Sequence, residues 1–114
     1  MNFKLSYKEK SRILNVRQVK GLAMGIGLTF KSRNTEILLF DFGKLTRLSI
    51  TSFFVFFPFL AVWLDGKNRV IEKRVVQPFQ FRIAPKKGFR RLIEIPINSR
   101  NAKIFEFLDE GGKV

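Results

Sequence analysis

Short apolar runs separated by turn residues dominate the pattern along the chain. Turn signals between them recur roughly every eight to twelve residues, as in β-sandwiches and barrels. The pattern therefore predicts a mainly β fold, an antiparallel β-sandwich or open barrel of about seven strands. The runs of strand length are Asn2–Lys8, Glu36–Phe42, Leu45–Phe57, Phe59–Asp65, Arg69–Val76, Phe79–Ile83 and Arg90–Ile95.

Two turn signals divide the second half of the chain. Asp65-Gly66-Lys67-Asn68 predicts a hairpin, because Asp-Gly readily adopts the backbone geometry of a tight turn between two strands. Pro96 is expected to end the last strand, since proline has no N–H group to donate to a neighbouring strand. These signals place two well-defined strands on either side of the Asp65 turn.

Two short helices complete the prediction. Asn15 can cap a helix start and Gln18 can complete a capping pair, which predicts a helix over residues 15–21 that ends at Gly21, with Gly25 as the alternative end. Ser99 can cap a second helix, with Gly111 beyond its end. Because 114 residues are too few for two stable cores, we expect one β-rich domain over residues 1–114. The apolar stripe of the second helix is Ala102, Ile104, Phe105 and Leu108.

An uncharged run of 17 residues, Leu48–Leu64, has the shortest length at which a helix can cross a membrane. Its start is polar at Ser49 and Thr51, its centre is rich in Phe and Val, and Pro58 would break a helix. The run is therefore interpreted as two strands that meet at Pro58, with no membrane span. A cytoplasmic location is expected.

Positive charge is the strongest compositional signal. The chain has 22 Lys and Arg against 9 Asp and Glu, a formal net charge of +13. Such a charge attracts polyanions, of which nucleic acids and anionic membranes are the common ones. Heat-adapted surfaces raise Glu together with Lys, so heat adaptation alone does not explain the scarcity of acids.

Most catalytic and metal-binding side chains are missing from the sequence. There is no Cys and no His, which excludes disulfides, thiolate metal sites and a histidine base. Three hydroxyl side chains lie close together at Ser49, Thr51 and Ser52, but no histidine is present to activate them. A Ser–Lys pair remains formally possible as a catalytic arrangement. Asp109 and Glu110 are the only adjacent acids and are expected to be solvated. We therefore expect no enzyme activity, no cofactor and no metal.

Glu94 and Phe89 each allow two interpretations. Glu94 lies between two isoleucines of a predicted strand, so its side chain should point away from theirs. We expect it to pair with a neighbouring arginine, and a polar pocket is the alternative. Phe89 is expected in the core, and the alternative is an exposed ring that stacks on a base.

Five short motifs follow one another along the chain: Gly21-Leu22, the Phe-rich block at 53–59 running into Leu64-Asp65, Val70-Ile71-Glu72, Pro78-Phe79 and Ile93-Glu94-Ile95-Pro96. Their order and spacing resemble the domain-of-unknown-function family 192. The resemblance runs from about Asn15 to Leu108 and implies a single sandwich-like β domain with short helices and no agreed activity. The chain departs from the family where a Gly-Leu-Met-x-Arg stretch is replaced by residues 21–25 and where Met-Lys-Asn-Thr is replaced by Phe-Phe-Pro-Phe. A ligand site built on those polar residues is not expected here.

Clusters of basic residues remain as the candidate site. Short basic loops on a small fold can contact a phosphate backbone without reading bases. The sequence thus predicts a non-catalytic binding module for structured RNA, of the kind that associates with ribosomes. The alternatives are a membrane-surface protein that uses the Phe-rich block and a small-molecule-binding protein. The predicted nucleic-acid-binding residues are Lys8, Lys10, Arg12, Arg17, Lys20, Lys73, Arg74, Lys86, Lys87, Arg90 and Arg91.

Overall fold

One curled β-sheet forms the frame of the computed structural model, which describes residues 1–19, 31, 35–52 and 55–109. The predicted mainly β class is confirmed. The sheet has six strands in the order β1-β2-β3-β6-β4-β5, and a short α-helix, α1, follows the last strand. The elements are β1 Asn2–Tyr7, β2 Lys10–Val19, β3 Ile37–Thr46, β4 Phe59–Leu64, β5 Val70–Val76, β6 Phe89–Pro96 and α1 Ala102–Leu108.

The sheet is mixed and curled, which corrects the expected antiparallel sandwich of seven strands. β2 and β3 run parallel, and the other neighbouring strands run antiparallel. Curling brings β1 back to β5, where Ser6 N–H donates to the Asn68 carbonyl over 2.9 Å. Ser6 also forms a parallel bridge with Arg69. A single sheet therefore surrounds one core and presents its other face outward.

Side chains alternate along the strands and create a core on each face of the sheet. The inner core is closed by Phe105 and Leu108 of α1. The outer core lies on β3, β6 and β4, and segments outside the sheet cover it. Because β4 is buried on both faces, all six of its residues are apolar, which explains why this part of the sequence resembles a membrane span. In the part of the chain that the structure describes, no helix is long and apolar enough to cross a membrane.

The helix predicted over residues 15–21 is wrong. Residues up to Val19 belong to β2, in which Leu14 and Val16 are buried and Asn15 is exposed. Leu14 pairs with β1 and Val16 pairs with Ile37 of β3. These pairings bury the alternating apolar positions, and this outweighs a local capping signal. Gly21 and Gly25 lie outside the described residues.

The strands predicted at Leu45–Phe57 and Phe79–Ile83 are also wrong. β3 includes Leu45 and Thr46, but beyond them the described residues make only an isolated bridge between Ile50 and Ile83. Pro78 and the left-handed backbone of Phe79, with φ of 62°, are incompatible with a regular strand there. These segments cross the outer face of the sheet instead of joining it.

The hairpin at Asp65 is confirmed. Asp65 Oδ1 accepts hydrogen bonds from the N–H groups of Lys67 and Arg69, both over 2.9 Å. Burial alone would raise the pKa of Asp65, but these bonds and the Arg69 guanidinium at 2.8 Å lower it below its ordinary value. The carboxylate therefore holds the turn in its ionised form.

The second predicted helix is confirmed, with a different cap. A 3-10 turn at Ser99–Asn101 precedes α1, and the Asn98 side chain, not that of Ser99, accepts from Asn101 N–H over 3.0 Å. The buried Asn101 amide in turn donates to the Pro96 carbonyl over 2.8 Å. These bonds fix α1 against the end of β6.

Candidate nucleic-acid interface

Two chain segments lie side by side across the outer face of the sheet, residues 44–52 and 77–88, and are called here the outer ribbon. Ile50 and Ile83 exchange two main-chain hydrogen bonds of 2.8 Å at its middle. At one end Ser52 N–H donates to the Gln80 carbonyl over 2.9 Å. At the other end Thr46 pairs with Phe89. The ribbon is therefore fixed along its length and covers the outer core.

Ser52 anchors one end of the outer ribbon. Its side chain is fully buried, donates to the Gln77 carbonyl over 2.6 Å and accepts from Gln80 N–H over 2.6 Å. Its carbonyl accepts from the N–H groups of Val55 and Phe79. The sequence suggested Ser52 as a weak nucleophile candidate, but these bonds give it a structural role.

The charged residues of the outer ribbon are all basic. It contains five Lys and Arg residues and no Asp or Glu, whereas the rest of the chain carries all nine acids. All five basic side chains are exposed. Since no carboxylate lies within the ribbon, its field is positive and not neutralised internally. The five residues are Lys44, Arg47, Arg82, Lys86 and Lys87.

Arg74 and Glu72 connect β5 to the outer ribbon. Arg74 Nη2 lies 2.7 Å from Glu72 Oε2 and donates to the Ala84 carbonyl over 3.1 Å. Glu72 Oε1 accepts from Lys86 N–H over 2.9 Å. The Arg74 guanidinium also lies over the Trp63 ring at 5.6 Å. Three of the predicted binding residues, Arg74, Lys86 and Lys87, are therefore brought together at the ribbon.

A second basic group forms at the hairpin between β1 and β2. The Nζ atoms of Lys8 and Lys73 lie 5.7 and 5.8 Å from the centre of the Tyr7 ring. Lys10 begins β2 at this hairpin, and Arg12 pairs with Leu5 two residues further along. The structure thus brings Lys8 and Lys73 together, although they are distant in sequence. This hairpin group lies on the curled edge where β1 meets β5, separate from the ribbon.

The remaining predicted residues do not join either group. Arg17 lies 3.7 Å from Glu36, and both side chains are exposed. Arg91 Nε lies 3.0 Å from Asp41 Oδ2, and Arg91 Nη1 donates to Asn68 Oδ1 over 2.9 Å. Arg91 therefore ties β6 to β3 and to the Asp65 hairpin, and is a structural residue. Lys20 lies outside the described residues.

Arg90 and Phe89 begin β6 and are not available as an exposed basic and aromatic pair. Phe89 is completely buried and packs edge to face on Trp63, so the core interpretation of Phe89 is confirmed. Arg90 is half-buried beside the Gly66 turn, and its buried Nε has no hydrogen-bond partner in the described structure. The expected flanking pair of Arg90 and Arg91 therefore belongs to the frame of the sheet.

Sequence reasoning missed three of the ribbon cations, Lys44, Arg47 and Arg82. Each stands alone in the sequence, whereas the prediction favoured adjacent basic pairs and the basic N-terminal region. Counting acids by segment would have found them, because residues 44–52 and 77–88 contain none. Their convergence depends on the pairing of Ile50 with Ile83, which the sequence does not reveal.

Two buried polar groups lie on the outer face of the sheet, the Glu94 carboxyl and the Trp63 indole N–H. Glu94 lies on β6 between Leu38 of β3 and Ala61 of β4, and burial raises its pKa to about 8. Its Oε1 atom and the Trp63 Nε1 atom are buried with no hydrogen-bond partner in the part of the chain that the structure describes. Glu94 points away from the neighbouring isoleucines, as expected. The expected pairing with an arginine is wrong, since no arginine contacts Glu94 among the described residues.

The structure buries one part of the Phe-rich block and exposes another. Val55, Phe57 and Phe59 are buried in the outer core, whereas Phe56 is 58% exposed. Residues 53 and 54 lie outside the described residues. One ring of the block is thus presented to solvent next to the ribbon.

Comparisons with known proteins show a shared fold. No family model matches the sequence, and no curated protein matches it. A protein of unknown function from Novosphingobium aromaticivorans is 12% identical with a TM-score of 0.73, over 91% of this chain and 77% of that one. A protein from Sinorhizobium meliloti, described as a proposed transcription regulator, is 16% identical with a TM-score of 0.72 over 90% and 82%. At these identities the likeness establishes the fold alone.

Proposed function

We propose that this protein is a non-catalytic binding module for RNA and that the outer ribbon is its contact surface. The observation that carries the proposal is the set of five exposed cations on a ribbon that contains no acid. Phosphates that approach the ribbon meet Lys and Arg without a competing carboxylate from the ribbon itself. Structured RNA, including ribosomal RNA, is the ligand class that phosphate contact and shape recognition favour.

The hairpin group of Lys8, Lys10 and Lys73 supports the proposal as a second contact. The group lies on another side of the sheet, so one RNA must wrap the edge of the domain to reach both surfaces. Arg17, Arg74 and Arg91 are left out of the proposed interface, because each contacts a carboxylate.

Two double variants of equal charge test the assignment of the surface. Lys86→Gln/Lys87→Gln removes two ribbon cations, and Lys4→Gln/Lys103→Gln removes two exposed lysines from β1 and α1. Fluorescence anisotropy with a labelled RNA stem-loop over a range of salt measures the affinity. Removing two phosphate contacts should weaken binding and reduce the slope of log K against log salt by about 2. The β1 and α1 variant should retain the wild-type slope.

The outcomes test the choice of contact surface and the RNA-binding function separately. Equal losses in both variants would mean that total charge, not the ribbon, governs binding. Absence of RNA binding at low salt, or binding that does not weaken as salt rises, would overturn the function itself. Duplex DNA belongs in the same series, because the Sinorhizobium meliloti neighbour is described as a proposed transcription regulator.

A small-molecule site on the outer face is the second candidate function. The buried polar atoms of Glu94 and Trp63, which have no partner among the described residues, favour it. A protonated Glu94 donates one hydrogen bond and accepts others, and the indole N–H donates one, so a ligand with a carbonyl group would match them. Trp63 is the only tryptophan, and its fluorescence reports the entry of such a ligand. Unchanged fluorescence across a panel of amide and carbonyl compounds would dismiss this candidate.

A further inference from the structure

Three exposed phenylalanine rings stand at one end of the outer ribbon and are called here the aromatic cluster: Phe56, Phe79 and Phe81. They are 58%, 48% and 66% exposed. Phe56 and Phe79 meet edge to face with ring centres 5.4 Å apart. Exposed large apolar side chains that gather in one place mark a binding surface more often than exposed single ones do.

The backbone holds the cluster in a strained conformation. Phe79 and Arg82 have φ values of 62° and 52°, in the left-handed region that bulky residues avoid. The bonds that fix this conformation come from Ser52, whose carbonyl accepts from Phe79 N–H over 3.0 Å. Strain of this kind persists only where the surroundings impose it, and it concentrates at functional sites.

The aromatic rings and the two adjacent lysines occupy different parts of the ribbon. Phe79 and Phe81 flank Gln80, which pairs with Ser52, whereas Lys86 and Lys87 lie toward the opposite end, where Thr46 pairs with Phe89. A single-stranded nucleic acid separates its groups in the same way, with charged phosphates on one side and flat bases on the other. Paired bases are stacked inside a helix and cannot reach such rings.

We propose that the aromatic cluster stacks on unpaired bases, so that the preferred ligand of the ribbon is a single-stranded segment of RNA. This inference rests on the proposed RNA-binding function and narrows its ligand. An anionic membrane would also attract cations and exposed rings. The separation of rings from lysines favours the single strand, and lipid binding is an outcome of the test.

The test compares two probes of equal charge. One is a labelled oligouridine of about 12 nucleotides, and the other is an abasic phosphodiester of the same length. Wild-type protein should bind the oligouridine more tightly. Phe81→Ala and Phe56→Ala should each weaken oligouridine binding by about 5- to 150-fold and leave abasic binding unchanged. Ile13→Ala is the matched control, because Ile13 is 62% exposed on β2 and lies outside the ribbon.

Failure of the inference differs from failure of the function. If wild-type protein binds both probes equally, base stacking is overturned without recourse to any variant, while RNA binding stands. If neither probe nor an RNA stem-loop binds at low salt, the proposed function fails. Vesicles of phosphatidylcholine and phosphatidylserine form the last arm. Vesicle binding that depends on Phe81, with oligouridine binding that does not, would overturn the inference in favour of a membrane.

Discussion

Glu94 gives the sharpest quantitative prediction, because it is the buried carboxyl group whose pKa rises furthest among the described residues. The folded-state pKa of about 8 compares with an ordinary value of 4.5 and is caused by burial between β3 and β4. Between these values the unfolded chain releases the proton and the folded chain keeps it. The unfolded state then binds fewer protons, so the free energy of unfolding falls as the pH rises through this window.

The loss is large for a domain of this size. A difference of one pKa unit corresponds to about 1.36 kcal/mol. Glu94 should therefore lower the free energy of unfolding by about 3 kcal/mol at neutral pH and by about 4–5 kcal/mol at the end of the window. Glu94→Gln keeps the shape and removes the charge. We expect the variant to match wild-type stability below the ordinary pKa and to exceed it progressively above that.

Urea unfolding, followed by the fluorescence of the buried Trp63, measures the effect across the pH range. The difference between variant and wild type cancels the contributions of other groups. One of these groups is Asp41. Burial alone would raise the pKa of Asp41, but the Gly43 N–H and Arg91 lower it, so the contribution of Asp41 to stability is lost on acidification. Glu106→Gln, an exposed change on α1, is the control and should give a flat difference. Parallel stability curves for Glu94→Gln and wild type would refute the reasoning and show that Glu94 is ionised in the folded protein.

Two further variants test the ribbon anchor and the hairpin. Ser52→Ala removes a buried hydroxyl and leaves the Gln80 N–H without its acceptor, so urea unfolding should show a loss of about 1–3 kcal/mol, against no measurable loss for the exposed Ser49→Ala. Equal stability of the two serine variants would mean that the ribbon is held by its apolar contacts alone. Asp65→Ala removes the acceptor for two turn N–H groups and for Arg69. It should reduce the free energy of unfolding by about 1–2 kcal/mol, which is measured as a lower thermal midpoint. An unchanged thermal midpoint would mean that Gly66, and not the Asp65 side chain, stabilises the turn.

Local signals predicted the parts of the fold in which sequence neighbours are also spatial neighbours. The hairpin that joins β4 and β5 has its turn, its two strands and its cross-strand pairs within 18 consecutive residues. The run at Arg90–Ile95 was predicted from Leu92, Ile93 and Ile95, which the structure buries in the two cores on opposite faces of the sheet. In both cases the local preference and the final packing agree.

Prediction failed where a distant partner decides the conformation. Residues 15–19 carry a plausible capping pair, yet the pairing of Val16 with Ile37 makes them a strand. The run at Leu45–Phe57 has the composition of a strand, but the edges of β3, β6 and β4 are already occupied by other strands. Ile50 and Ser52 of this run form main-chain hydrogen bonds with residues 83 and 80, and no property of either segment alone identifies that partner.

The predicted binding residues also divide into those whose exposure follows from local sequence and those whose role depends on a distant partner. Lys86 and Lys87 were found because adjacent lysines in a loop are usually exposed, and they are exposed here. Arg91 has the same local pattern, but its place opposite Asp41 in the β3–β6 pairing gives it a structural partner. Whether a basic residue is available to a ligand therefore depends on which carboxylates the folded chain places beside it.

The outer ribbon does two separate things. It covers the outer face of the sheet, and it carries a concentrated positive charge. An apolar sheet face must be covered, and Ile50 and Ile83 of the ribbon pack against the outer core. That requirement says nothing about the solvent side. Five like charges on that side repel one another, and the same cations scattered among the nine acids would provide equal solubility with less repulsion. The repulsion is relieved when phosphates bind, so the concentration of cations on the ribbon supports the proposal of a polyanionic ligand.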